Sequence, residues 1–324
     1  MITESPETKP EEIKPSNQPL SGQNNSKATV PNLNFIKPDY LKATDQFNRS
    51  GYCVVPGVIS CGRALEIREA LAQLFQQDAS ADTPLAGIKR DGPNYKGIID
   101  DVYVHYPEFY DTFCNAQLTE ALTAILGQNF ILMPDSSAHW EYFNWLHTDT
   151  TTQEISGETY PRHPDYKMVT VGLYLQDNDS VYGGGLHVVP GSHLEPDPYI
   201  ALRQKKKKAE KSKLNRWLKP WSLGKLHAID QAFKYHPKGI DIPSKAGDVV
   251  IFDMRLIHRS SYTHAAQQSP LEKFAFFSRA SANNPIAADY EIYLKNNYSY
   301  FSASRSVATL QAIADTSAFH FTVL

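Results

Sequence analysis

A chain of 324 residues is long enough for one large domain or two small ones, and its 41% hydrophobic content supplies a core. The net charge of -3 is close to balance and favours neither nucleic acid nor an anionic membrane surface as a partner. Cys53, Cys61 and Cys114 are too few and too scattered for a disulfide framework or a zinc cluster, so a reducing compartment is expected. No apolar run approaches the roughly 20 residues of a bilayer span, and the N-terminus lacks the apolar stretch of a secretory signal; the expectation is a cytoplasmic protein without a transmembrane segment.

Residues 1–33 carry Pro6, Pro10, Pro15, Pro19 and Pro31 among polar residues, a composition that cannot offset its ordering entropy, and predict a disordered tail. Residues 34–324 are expected to form a single domain. A short strand near Tyr52 ends at the turn Pro56-Gly57, and Ser60 then caps a helix in which Ala64, Ile67, Leu71 and Leu74 share a face. A second helix is expected from Pro107 to Leu126, stopped by Gly127. From Gln128 onward the pattern is of short strands: Phe130 to Met133, Ala138 to Trp145, Met168 to Gln176, Gly185 to Val189, Ile240 to Ile242, Val249 to Phe252 and Lys273 to Ser278. So many strands after a helical start predict a mainly β protein with flanking helices, built on a double-stranded β-helix, or jelly roll. Asn283-Asn284-Pro285 opens a late helix with Ile286, Tyr290, Tyr293 and Leu294 on one face, and a last helix is expected near Val307 to Ile313.

One segment, at about 197–236, interrupts the strands. From Arg203 to Lys225 it holds ten Lys or Arg and one acid, Glu210, while Leu214, Trp217, Leu218 and Trp221 fall at helical spacing. The expectation is an inserted basic amphipathic helix.

Chemistry is carried by histidines and one aspartate. His147-Thr148-Asp149 follows the aromatic run Trp140 to Trp145, and on a strand its two outer residues project from one face. Far downstream, Lys245-Ala-Gly-Asp-Val-Val-Ile-Phe-Asp-Met-Arg-Leu-Ile-His258 reads as a turn, a buried strand and a histidine at its end. Two imidazoles and a carboxylate make the facial ligand set of a mononuclear non-haem iron(II) site, with three positions left for a bidentate oxo-acid and dioxygen. A second His-x-Asp triplet, His163-Pro164-Asp165, has proline at its centre and a polar loop around it. His187 and His193 are rivals to His258 as the third ligand, and His258 itself suits a hydrogen-bonded core position as well.

Four stretches together resemble the phytanoyl-CoA dioxygenase family of iron(II)- and 2-oxoglutarate-dependent oxygenases: Gly51 to Ser60, His147-Thr-Asp149, Gly184-Gly-Leu-His-Val-Val-Pro-Gly-Ser-His193, and Gly247 to His258. The resemblance implies Fe(II) held by His147, Asp149 and His258, 2-oxoglutarate as cosubstrate, O2, and oxidation of a small organic or acyl-type molecule with release of succinate and CO2. Related halogenases replace the carboxylate with a small residue, so Asp149 implies hydroxylation or another oxidation without halide. The family anchors 2-oxoglutarate with an arginine on the strand after the third ligand and a hydroxyl two residues beyond that histidine. Ser260 fits the hydroxyl. The strand Lys273 to Arg279 begins with lysine instead; both cations share its parity, and Lys273 is expected to be the anchor by its position. The basic helix, through Lys205 to Lys208, suggests a phosphate-bearing substrate such as an acyl thioester. A jelly-roll protein that binds metal or ligand without turnover, docked to an anionic partner by that helix, is the alternative.

Overall fold

A computed structural model of the chain describes residues 38–80, 85–89, 95–141, 145–179, 185–211, 233–261, 272–298 and 322–323. The tail expected at 1–33, the helix expected at Val307 to Ile313 and the apolar face from Leu214 to Trp221 lie outside these residues. The first described element, α1 (Pro38–Ser50), was not anticipated: Tyr40 and Phe47 mark its buried side too sparsely to announce a helix. After β1 (Tyr52–Val55) comes α2 (Cys61–Ser80), begun as expected by Ser60, whose Oγ accepts the Arg63 N–H at 3.1 Å. Ala64, Ile67, Leu71 and Phe75 are its fully buried face.

A hairpin of β2 (Ile88–Lys89) and β3 (Tyr95–Asp100), then α3 (Val102–His105), precede the second expected helix, which is two elements. A 3-10 turn (Pro107–Thr112) is separated from α4 (Ala116–Leu126) by Asn115, which takes extended dihedrals and caps α4 by accepting the Leu118 N–H at 3.0 Å. Gly127, at φ 98, ends α4 as predicted. The two strands expected at Phe130 to Trp145 are one, β4 (Ile131–Glu141). Its pairing with a later strand shifts register between the partners of Leu132 and Ser136, which accommodates Pro134, a residue with no N–H for the ladder.

The remaining elements are α5 (Thr151–Ser156), β5 (Met168–Tyr174), β6 (Leu186–Val188), α6 (Tyr199–Lys211), β7 (Ile240–Ile242), β8 (Val249–Asp253), β9 (His258–Ser260), β10 (Phe274–Ser281), α7 (Pro285–Asn297) and β11 (Thr322–Val323). The large sheet runs β1-β8-β5-β10-β4-β3-β2, with β11 on β4; the small one runs β7-β6-β9. The pairs are antiparallel apart from β11 with β4, and the sheets do not close into a barrel. This is the jelly-roll arrangement that the strand pattern predicts.

Strand alternation divides the core. Val169, Val171 and Leu173 of β5, with Ile251 and Phe276, pack on Ile67 and Leu71 of α2 and Leu118 and Leu122 of α4. The opposite face of the same strands, through Tyr174, Val250, Phe252 and Ala275, meets Leu186, Val188 and Ile242 of the small sheet. The cavity between the sheets lies on this second face.

The Ala246-Gly247-Asp248 turn locks β8 to β1. Asp248 accepts the Gly57 N–H at 2.8 Å and the Lys245 N–H at 2.7 Å, one on each carboxylate oxygen. Gly247 sits at φ +91 with the Ile59 carbonyl 2.2 Å from where a Cβ would stand, so no other residue fits.

Candidate metal centre

His147 is delivered by an isolated antiparallel bridge to His258, with N–H to carbonyl distances of 3.0 and 2.9 Å in the two directions. Asp149 does not continue a strand, contrary to the expectation for the His-x-Asp triplet. It occupies a turn before α5, its N–H held by the Met254 carbonyl at 2.8 Å. The turn still brings the carboxylate to the imidazoles. Asp149 Oδ1 lies 4.0 Å from His147 Nε2 and 3.7 Å from His258 Nε2, and the three donor atoms fall within 4.8 Å of one another. The rings are 4.3 Å apart.

Each imidazole is oriented by its own chain. His147 Nδ1 meets the Trp145 carbonyl at 2.7 Å and His258 Nδ1 the Leu256 carbonyl at 2.9 Å. A carbonyl can only accept, so both Nδ1 atoms carry the proton and both Nε2 atoms present a lone pair toward Asp149. Thr170 on β5 donates its hydroxyl in a short bond to Asp149 Oδ2, leaving Oδ1 on the histidine side. The donor set therefore fits a divalent metal of the iron class.

Electrostatics agree with ligands kept ready for a cation. Burial, then repulsion by His258, holds the His147 pKa down to about 3, against the pull of Asp149. Burial opposes ionisation of Asp149, but His258, Arg279, His147 and the Thr170 hydroxyl hold its carboxyl below the usual range. A neutral imidazole and an ionised carboxylate are the metal-binding forms.

The structure also accounts for the glycine and Pro-Gly-Ser-His stretch. Ser192 Oγ accepts the Ile257 N–H at 2.9 Å, and the Val189 N–H donates to the Ile257 carbonyl at 2.9 Å, so the motif clamps the residue before His258. His193 packs beneath Gly51, where a Cβ would come within 2.5 Å of its ring. It is not one of the three clustered donors and does not line the cavity beside them. His187 pairs with Asp241 at 2.6 Å on the β6–β7 side, and His163 with Asp165 is an exposed pair. Asp197, which carries no sequence signal, accepts from Thr148 at 3.1 Å and from Thr151 at 2.7 Å and so fixes the turn that carries His147 and Asp149.

The triad opens into a cavity of about 100 Å³ between the sheets, walled by Phe252, Leu186, Tyr174 and Phe277 and reached by Ser260 and Arg279. Arg279 points its guanidinium at Asp135, in a short ion pair. Lys273 is buried just before β10 but is not one of the residues lining this cavity, whose wall on that strand begins at Ala275. Among the described residues no helix is long and apolar enough to cross a membrane.

Comparison with known proteins gives the same answer as the geometry. The apo form of EctD from S. alaskensis shares the fold, at 18% identity over 74% of this chain and 76% of that one, with a TM-score of 0.50. The 2-oxoglutarate-dependent carbocyclase SnoK (16% identity, 74% and 82% covered, TM-score 0.48) and epimerase SnoN (15%, 75% and 80%, 0.48), both from nogalamycin biosynthesis, also match. No curated protein matches the chain. The sequence matches the family description "Phytanoyl-CoA dioxygenase (PhyH)" over residues 47–268, more than half of its length and all of the triad. The chain belongs to the phytanoyl-CoA dioxygenase family, whose cofactor and cosubstrate are iron(II) and 2-oxoglutarate.

Proposed function

We propose that the protein hydroxylates an aliphatic carbon of a small polar molecule, consuming 2-oxoglutarate and O2 and releasing succinate and CO2. The observation that carries this reading is the convergence of His147 Nε2, His258 Nε2 and Asp149 Oδ1 at a cavity between two sheets, each imidazole fixed by a backbone carbonyl. Bound iron and 2-oxoglutarate supply the activation of dioxygen and the oxidising power. His147, Asp149 and His258 are the ligands in this reading. The chain's other contribution is geometric: Thr170 holds the Asp149 carboxylate in one orientation, and Phe252, Phe277 and Leu186 keep water from the reacting side.

For the 2-oxoglutarate anchor this reading keeps Lys273, with Ser260, over Arg279. Ser260 lines the cavity two residues past His258, on the inward course of β9, and Lys273 is buried at the start of the adjoining wall strand. Arg279 sits at the other end of β10 opposite Thr170, committed to Asp135. Lys273→Met should then weaken 2-oxoglutarate binding about 10- to 100-fold, the loss of one charge-assisted hydrogen bond, and far more than Arg279→Met does. The reverse order moves the anchor to Arg279.

Turnover under 18O2 tests the reaction type: one labelled oxygen should appear in the product and one in succinate. A product without label rules out hydroxylation, and the absence of succinate favours a binding protein. The phosphate-bearing thioester suggested by Lys205 to Lys208 gains no support from the described walls. Lys205 is exposed on α6 and lines neither cavity at the triad.

A further inference from the structure

Two cavities meet at the metal centre: the one of about 100 Å³ between the sheets, and a second of about 180 Å³ that shares Asp149 and Arg279 with it and extends to the end of β3, to β4 and to α7. Tyr174 lines only the first. It ends β5, where strand alternation puts Thr170, Gly172 and Tyr174 on the cavity side. Thr170 holds the Asp149 carboxylate, and Tyr174, four residues on, stands about 13 Å farther along the strand.

Tyr174 is 2% exposed, and burial alone pushes its hydroxyl pKa well above the usual tyrosine range, so the group stays protonated and able to donate. The hydroxyl makes no hydrogen bond among the described residues, yet it is not sealed in. The Tyr166 hydroxyl, also without a partner, is fully enclosed; the Tyr174 hydroxyl keeps accessible surface, on the cavity that its residue lines. A buried donor facing a space walled by Phe252, Leu186 and Phe277 is costly unless a ligand oxygen receives it. Gly172 makes the room for it. A Cβ there would stand 3.1 Å from Phe277 Cε1 and 3.5 Å from a Tyr174 ring carbon, and the two rings meet edge to face at 6.3 Å. Tyr174 lies opposite Ala275 of β10, and Lys273 precedes Ala275 by two residues, with the same parity. Ser260, across the cavity, pairs with Leu186, which packs in the same apolar cluster as Tyr174. The hydroxyl therefore belongs to the Ser260 and Lys273 end of the first cavity.

We propose that Tyr174 is a further cosubstrate-binding residue, whose hydroxyl donates to the distal carboxylate of 2-oxoglutarate and selects it over oxo-acids that lack that group. The inference rests on the oxygenase reading and deepens it. The hydroxyl adds a charge-assisted hydrogen bond where the lysine offers a point charge in place of the bidentate grip of an arginine. An oxo-acid with an apolar far end leaves the donor unsatisfied and loses that contribution.

The test is calorimetric titration of anaerobic, Fe(II)-loaded protein, parent and Tyr174→Phe, with 2-oxoglutarate and with 2-oxopentanoate, which keeps the chelating end and carries a methyl group in place of the distal carboxylate. Removal of the hydroxyl should weaken 2-oxoglutarate about tenfold or more, the loss of one hydrogen bond to a charged group. Fe(II) affinity, read by competition with a chelator, and the weaker binding of 2-oxopentanoate should not change. Unchanged 2-oxoglutarate affinity in Tyr174→Phe would leave the hydroxyl to water and overturn the proposal. A loss shared equally by 2-oxopentanoate, or by Fe(II), would make Tyr174 a packing residue and overturn it as well. The parent titration keeps the two ideas apart: a parent that binds Fe(II) but not 2-oxoglutarate overturns the oxygenase reading itself, whereas a binding parent with an unaffected Tyr174→Phe overturns only the role of the hydroxyl.

Discussion

Thr170 illustrates how one hydroxyl shapes the centre. By donating to Asp149 Oδ2 it fixes which carboxylate oxygen faces His147 and His258. Thr170→Val keeps the shape and removes the donor, and Fe(II) affinity should fall about 10- to 100-fold, the usual effect of losing a partner behind a ligand. Unchanged affinity in a competition titration with a chelator would mean that the turn alone positions Asp149. His139 offers a test in pH. Burial, then repulsion by Arg279, lowers its pKa from 6.5 to about 3. In that window the unfolded chain binds the proton and the folded chain does not, so stability falls as pH drops from 6.5 toward 3. Urea unfolding of the metal-free protein should show a shallower decline in His139→Asn; an identical profile would assign the acid sensitivity elsewhere. That His147, Asp149 and His258 come together was legible through the family resemblance of the stretches around them, since residue types and spacing alone left His163-Pro164-Asp165, His187 and His193 as rivals. Thr170 and Asp197 were not, since a threonine in a strand and an aspartate in a loop announce nothing about the ligand they touch.

At the level of elements, the centre depends on segments that look like connectors. Ser192, within Pro-Gly-Ser-His, receives the Ile257 N–H, and both residues are buried. Ser192→Ala leaves that N–H unsatisfied and should cost about 1–3 kcal/mol in urea unfolding, with weaker metal binding through a displaced His258. A variant as stable as the parent would show that the clamp is dispensable. The two described ends of the basic segment have a comparable role. Tyr199 at the start of α6 and Phe233 stack at 5.4 Å and pack with Leu146 and Ile257, the residues immediately before the two ligand histidines. The charge run suggested an inserted basic amphipathic helix facing an anionic group, and the aromatic residues at its borders gave no sign of this footing. Similar limits explain the other differences. Asn115 is a cap inside what reads as one helix, and Pro134 sits inside a strand because a register shift accommodates it.

Across the whole molecule the pattern of short strands after a helical start was sufficient for the jelly roll, because a two-sheet fold follows from alternation and turn residues. Strand partners were not legible, since register is set by contacts distant in sequence. The cavity beside the centre was equally hidden: Asp100, Asp101, Asp135 and Arg279 come from three separate stretches, and only the packing of β3, β4 and β10 joins them. If His147, Asp149 and His258 hold iron(II) with 2-oxoglutarate on it, anaerobic optical titration of the metal-free protein with Fe(II) and 2-oxoglutarate should give a weak visible charge-transfer band that saturates with 2-oxoglutarate and is lost in His147→Ala and in Asp149→Ala. A metal-loaded parent protein that forms no band, or variants that retain it, would show that the three residues do not hold the iron and 2-oxoglutarate together.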